Sequence, residues 1–182
     1  MNSQHHFTIR LVLLLVGAFL LAGCGGESES NSQTQLVGGN PGNLAPDFEL
    51  TNLAGDTVKL SDLRGDVVLV DFWATWCGPC KMAMPHLQDI HEQFGDKGVT
   101  IVAISVDRQG ERVVRPFIQK YGYSFDVVMT DNLIEQKFGG FRGIPTTFII
   151  APDGTVFKRW TGYQSKAAFL NAIKQLKPEL AS

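Results

Sequence analysis

Cysteine is scarce in this chain: three among 182 residues. The count is odd, and two of the three, Cys77 and Cys80, stand two residues apart. That leaves nothing for a disulfide scaffold, so the fold must rest on an apolar core. An excess of either charge is also missing. Sixteen Lys and Arg face eighteen Asp and Glu, for a net charge of −2 and a pI near 6.1. No basic field is available for nucleic acid, which is excluded as a partner. There is no charged tail and no internal repeat. The longest apolar run, the almost wholly apolar Leu11 to Leu21, is shorter than the ~20 residues a membrane-crossing helix needs. With 44% hydrophobic residues over 182 positions, the chain has enough material for one domain with a real core, not comfortably for two.

The stretch around which the rest is arranged is Trp76-Cys77-Gly78-Pro79-Cys80. It follows Val67-Val68-Leu69-Val70-Asp71-Phe72-Trp73, an apolar run of the length of a buried strand. Gly78-Pro79 breaks the pattern, and a helical one follows over Lys81 to Phe94, with Met84, Leu87, Ile90, His91 and Phe94 on one face and Pro85 inside it as an expected kink. A helix start beside the first sulfur offers partial positive charge and unpaired N–H groups. Both favour the thiolate, the attacking species in disulfide exchange, and the reading places that sulfur exposed. Two other uses of such a pair are a zinc site and a haem attachment. A zinc site wants about four ligands, and His86 and His91 are turned away from a helix-capping pair. A c-type haem wants His directly after the second Cys, where this chain has Lys81. No metal and no cofactor is expected.

The N-terminus carries its own signal. Met1 to Arg10 is polar, the apolar run has the length of a secretory h-region, and Leu21-Ala22-Gly23-Cys24 resembles the bacterial lipobox. The resemblance implies a signal peptide over residues 1–23 and acyl chains on Cys24, each buried methylene adding about 0.8 kcal/mol of membrane affinity. The other reading is an uncleaved anchor with an incidental Cys24. Both place the domain outside the cytoplasm, facing the periplasm or the cell exterior. Residues 24–43, rich in Gly, Ser, Asn and Gln, read as a flexible tether.

From Leu44 onward the pattern is one α/β domain, residues 44–178. Leu44–Leu50 and Thr57–Leu60 alternate as a hairpin, and Ser61 opens a capped turn ended by Gly65. Further strands are expected over Val99–Val106, Phe125–Met129, Gly143–Ile150 and Val156–Thr161. Helices are expected over Arg112–Tyr121, Leu133–Phe138 and from Ser165 onward. Such an alternation, closed by a hairpin and a helix, implies a mixed sheet covered on both faces.

Val70-Asp71-Phe72-Trp73-Ala74, Trp76 to Met82, Pro85 and Arg142-Gly143-Ile144-Pro145-Thr146 resemble the thioredoxin superfamily. The hairpin, Leu60 to Gly65, and an extra helix–strand unit near Gly110–Met129 resemble its membrane-tethered TlpA/ResA-like branch. The resemblance covers roughly Leu44 to Leu176. It implies the thioredoxin fold, a mixed central sheet flanked by helices, and thiol–disulfide exchange. Cys77 is then the nucleophile, Cys80 the resolving thiol, and Asp71 their proton partner, its pKa raised by burial. Pro145 is expected cis, with the backbone of Ile144 pairing to the substrate chain and Trp76, Gly78 and Pro79 touching it. Two positions depart from the pattern: Ala103 stands where thioredoxin has a buried Lys, and Ala83 where ResA-like proteins often carry Glu. The implied activity is reduction of disulfides in envelope proteins, with cytochrome c maturation as one setting and a membrane thiol as electron donor. A disulfide-forming oxidase, a peroxiredoxin-like peroxidase and a redox-inert tethered binding protein are the competing readings. Gly78-Pro79 argues against the oxidase, and no lone Cys with a companion Thr and Arg is visible for the peroxidase.

Overall fold

The computed structural model describes residues 39–131, 133–140 and 142–181. The signal segment 1–23, Cys24 and the tether through residue 38 lie outside the described residues.

The elements are β1 (Glu49–Thr51), β2 (Thr57–Lys59), β3 (Val67–Trp73), α1 (Gly78–Phe94), β4 (Val99–Ser105), α2 (Glu111–Tyr121), β5 (Asp126–Met129), α3 (Leu133–Lys137), β6 (Thr146–Ile150), β7 (Val156–Thr161) and α4 (Lys166–Leu176). Five strands form the main sheet in the order β5-β4-β3-β6-β7. The most apolar strand, β3, is its centre, parallel to β4 and antiparallel to β6. A strand buried on both faces carries no polar alternation, and all seven of its residues are buried.

Side-chain alternation divides β3 between two cores. Val67, Leu69 and Trp73 join Met84, Leu87 and Ile90 of α1, Val114 of α2, and Phe169 and Ile173 of α4. Val68, Val70 and Phe72 face the other way, into a cluster with Phe48, Leu60, Ile134, Phe138 and Phe148. Phe72, Phe138 and Phe148 meet edge to face, with centroids 4.8–6.0 Å apart. Burial of this scale, at about 25 cal/mol per Å² of apolar surface, supports the domain without any scaffold of disulfides.

The helix after the cysteines begins three residues earlier than its apolar pattern indicates. Gly78 and Pro79 are its first two residues rather than a break. The first N–H groups of a helix have no intrahelical partner, so Pro79 loses nothing there. Pro85 also lies inside α1, on its exposed side.

Residues 39–60 wrap the second face of the sheet from edge to edge. The N–H of Gly42 donates to Val156 O (2.8 Å), and Val156 N–H donates to Asn43 O (2.8 Å). At the opposite edge Leu53 N–H donates to Val127 O (2.9 Å) and Asn52 bridges Val128. Both outer strands are thereby partly closed to foreign pairing. Three expectations change here. Gly39–Asn43, placed in the tether by composition, is joined to β7, and Gly39 is buried where a Cβ would fall 2.3 Å from the Phe148 ring. Leu44 pairs with Thr155 rather than within the hairpin, whose strands are only three residues each. Ser61 caps nothing: the single turn Leu60–Leu63 has no side-chain cap, and Ser61 N–H donates to Asp47 Oδ1 (2.9 Å).

Candidate active site

β3 ends at Trp73, and Cys77 takes the N-cap position of α1 with extended backbone, φ −81° and ψ 109°. Its sulfur accepts the N–H of Cys80 at 3.2 Å, and its carbonyl accepts Lys81 N–H at 3.1 Å. Cys77 and Cys80 are joined by a disulfide, S–S 2.02 Å, with Cα atoms 5.3 Å apart. Cys80 is fully buried. Cys77 is only 4% exposed, so the expectation of an open sulfur needs correction. A second loop lies against it, bringing Ile144 O to 3.7 Å from Cys77 Sγ. A disulfide sulfur has no hydrogen, so this is a contact; a free thiol in the same place can donate to that oxygen. Trp76, Gly78 and Pro79 around the sulfur are exposed, Trp76 by 68%.

The opposing loop is Gly143-Ile144-Pro145, and the Ile144–Pro145 bond is cis. Thr146 Oγ1 donates to Gly143 O (2.7 Å), and Pro145 O accepts Gly162 N–H from beyond β7 (2.7 Å). The structure therefore brings Trp76, Cys77, Gly78, Pro79 and Cys80 up to Ile144 and Pro145, about sixty-five residues further along the chain.

Asp71 sits on the β3 face shared by Val67, Leu69 and Trp73, the side on which Cys80 is packed. It is opposite Ala103 on β4 and Thr147 on β6, so no cross-strand lysine answers it. Burial pushes its pKa up to about 7, and the Thr147 hydroxyl, donating to Oδ1 at 2.6 Å, opposes that rise. Its second oxygen, Oδ2, has no hydrogen-bond partner; neither does Trp73 Nε1, on the same strand face. A carboxyl that gains and loses a proton near neutrality, on the strand face against which Cys80 packs, is equipped for proton transfer once the disulfide is reduced.

Sequence reasoning overlooked Asp107. It is buried just past the end of β4 and fastens the loop that leads into Cys77. Its Oδ2 accepts Thr75 N–H (2.9 Å) and Ser105 Oγ (2.8 Å), and its Oδ1 accepts Thr75 Oγ1 (2.7 Å). The available signal was an acid one residue past an apolar strand, at the carboxyl edge of a parallel pair where crevice residues gather. Beside it an open groove of about 510 Å³ runs between Trp76 and Val106–Gln109. His86 and His91 diverge: His86 Nε2 lies 3.0 Å from Tyr163 OH, and His91 packs edge-on against Phe125.

The chain is similar to several known proteins. Residues 41–159 match the AhpC/TSA family. A thiol-disulfide oxidoreductase ResA of Oceanobacillus iheyensis is 37% identical over 159 residues, covering 85% of this chain and 80% of that protein. Among solved structures, a thioredoxin-family thiol:disulfide interchange protein of Chlorobium tepidum superposes with a TM-score of 0.69 at 30% identity, over 75% of this chain and 97% of that one. The exposed lipoprotein thioredoxin Etrx1 of Streptococcus pneumoniae superposes with a TM-score of 0.64 at 27% identity, over 72% and 100%. With a central strand leading into a capped Cys-x-x-Cys helix and a cis-proline loop set against it, the chain belongs to the AhpC/TSA family of the thioredoxin superfamily as a ResA-like thiol–disulfide oxidoreductase.

Proposed function

We propose that this enzyme reduces disulfides of envelope proteins, with Cys77 as nucleophile and Cys80 as resolving thiol. The Cys77 thiolate attacks one sulfur of a substrate disulfide. The substrate S–S bond breaks, a Cys77–substrate disulfide forms, and the first substrate thiolate leaves and is protonated. Cys80 then gives its proton to the Asp71 carboxylate and attacks Cys77 Sγ. The second substrate thiolate leaves, and the enzyme holds the Cys77–Cys80 disulfide. Two electrons have passed to the substrate; a dithiol carrier in the membrane returns them by the same exchange run in reverse.

One observation carries the reading: Cys77 caps α1, accepts the Cys80 N–H on sulfur, and faces the Ile144 carbonyl. The N–H and the helix terminus stabilise a thiolate there, and the exposed edge of the Ile144 loop can pair with an extended substrate chain. Lipidation of Cys24 is part of the same proposal, supported by Leu21-Ala22-Gly23-Cys24 and by the solved lipoprotein relative. It keeps the domain near a membrane donor in an oxidising compartment. Apocytochromes c, whose haem-binding cysteines must be reduced before attachment, are a substrate class suited to this place.

The test is capture with Cys80→Ser, which leaves the mixed disulfide unresolved. Envelope proteins should accumulate in covalent complexes that reductant dissolves and that Cys77→Ser abolishes. An absence of such complexes, together with a purified dithiol that fails to cleave a model disulfide, overturns the assignment. A strongly oxidising potential for the couple supports the disulfide-forming reading instead.

A further inference from the structure

Tyr163 and His86 tie together the two walls that meet at Cys77. One wall is α1, whose first residues carry the cysteines. The other is the cis-proline loop, whose Pro145 O is held by Gly162 N–H. Tyr163 follows Gly162 directly. Its hydroxyl lies 3.0 Å from His86 Nε2, a bond available to either tautomer, and the two rings sit 6.0 Å apart. One turn further along α1, Asp89 pairs with Lys166 at 3.0 Å, so the same connection is anchored twice.

The consequence is on the surface. Tyr163 is 39% exposed and Met82 is 59% exposed. Met82 precedes His86 by four residues, so the two share one face of α1. Trp76 and Pro79 lie at the start of the same helix. A free tyrosine would lose rotamer freedom each time a substrate packed on it; one already fixed through its hydroxyl loses less. Resting on the reductase reading above, we propose that His86 and Tyr163 form a latch that presents a fixed apolar platform, Tyr163 with Met82, and that this platform selects substrates with an aromatic or large aliphatic residue beside the reacting cysteine.

The test uses the reduced wild-type protein with three disulfides: two peptides closed by the same intramolecular disulfide but flanked by Phe or by Glu, and oxidised glutathione. The Phe peptide should be preferred over the Glu peptide by about tenfold in kcat/KM. Tyr163→Phe, which keeps the ring and loses the bond, and His86→Leu should each reduce that preference about threefold, through KM rather than kcat. The double variant should lose no more than either single one, and His86→Gln, which can still bond the hydroxyl, should recover the preference. Equal rates for the two peptides with wild type, additive losses, or the same loss toward oxidised glutathione would each overturn the latch. A wild-type dithiol that reduces none of the three disulfides overturns the reductase reading, and the latch with it.

Discussion

Two aspartates are buried, Asp71 on β3 and Asp107 just past β4, and their hydrogen-bonded surroundings are opposite. Asp107 spends both oxygens on Thr75 and Ser105. Asp71 has one hydrogen bond, from Thr147, and an oxygen with no partner at all. A satisfied buried carboxylate acts as a fastener. An unsatisfied one is costly when charged, and prefers to hold a proton. The difference separates holding the cysteines in place from moving a proton among them, and the two tasks fall to residues of the same type. Only the hydrogen bonds around each decide which does which.

The largest effect should come from Asp71 and pH. Its pKa is raised from 3.8 to about 7 by burial. Below pH 3.8 both folded and unfolded chains are protonated there, and the group contributes nothing. As pH rises the unfolded carboxyl ionises first, so the folded state loses ground until about pH 7, where the effect levels off. Over that window the loss amounts to roughly 4 kcal/mol at most, about three pH intervals at 1.36 kcal/mol each. Asp71→Asn cannot ionise. In the oxidised protein its stability relative to wild type should therefore climb between pH 4 and pH 8. Denaturant midpoints at the two pH values measure this; parallel profiles for wild type and variant would show that Asp71 does not hold its proton.

Asp107→Ala should act in the opposite direction. It strands the Thr75 N–H and two hydroxyls, and at about 1 kcal/mol for each bond, partly recovered by water at half-buried Thr75, the cost is about 2–3 kcal/mol. Loss of the fastener should also free Trp76, so the variant should show a more mobile Trp76 by fluorescence anisotropy and slower reduction of a model disulfide. A variant as stable as wild type would mean that the Thr75 bonds do not hold the loop.

The contrast also explains what could be read in the chain beforehand. Asp71 was visible because a strand buried on both faces is a continuous apolar run, and a lone charge within it stands out. Cys77 and Cys80 are local in sequence, and so is the helix they open. The approach of Ile144 and Pro145 is a contact across about sixty-five residues, and only resemblance to a family pointed to it. Asp107 was hidden for the same reason without that help: an acid after a strand looks like any loop acid until Thr75, thirty-two positions earlier, is folded against it. Gly39–Asn43 looked like tether because composition records side chains, while that segment attaches through backbone bonds and through the missing Cβ of Gly39.

The smallest effect is expected at Thr147, whose replacement changes the surroundings of Asp71 by one bond. The Thr147 hydroxyl donates to Oδ1 and favours the ionised carboxyl, opposing the larger influence of burial. Thr147→Val keeps the shape of the side chain, preserves the β6 pairing opposite Asp71, and removes that donor. The proton should then be held more tightly. The pH at which stability stops falling should move upward by roughly one pH unit or less, about 1 kcal/mol, the usual worth of a single hydrogen bond. Removing the bond should therefore push Asp71 further from the Asp107 condition, and a downward shift would mean that the hydroxyl stabilises the protonated form. The same titration on Asp107→Ala is the control. Its loop is loosened, but the bond to Asp71 is untouched, so the midpoint assigned to Asp71 should stay where it is in wild type.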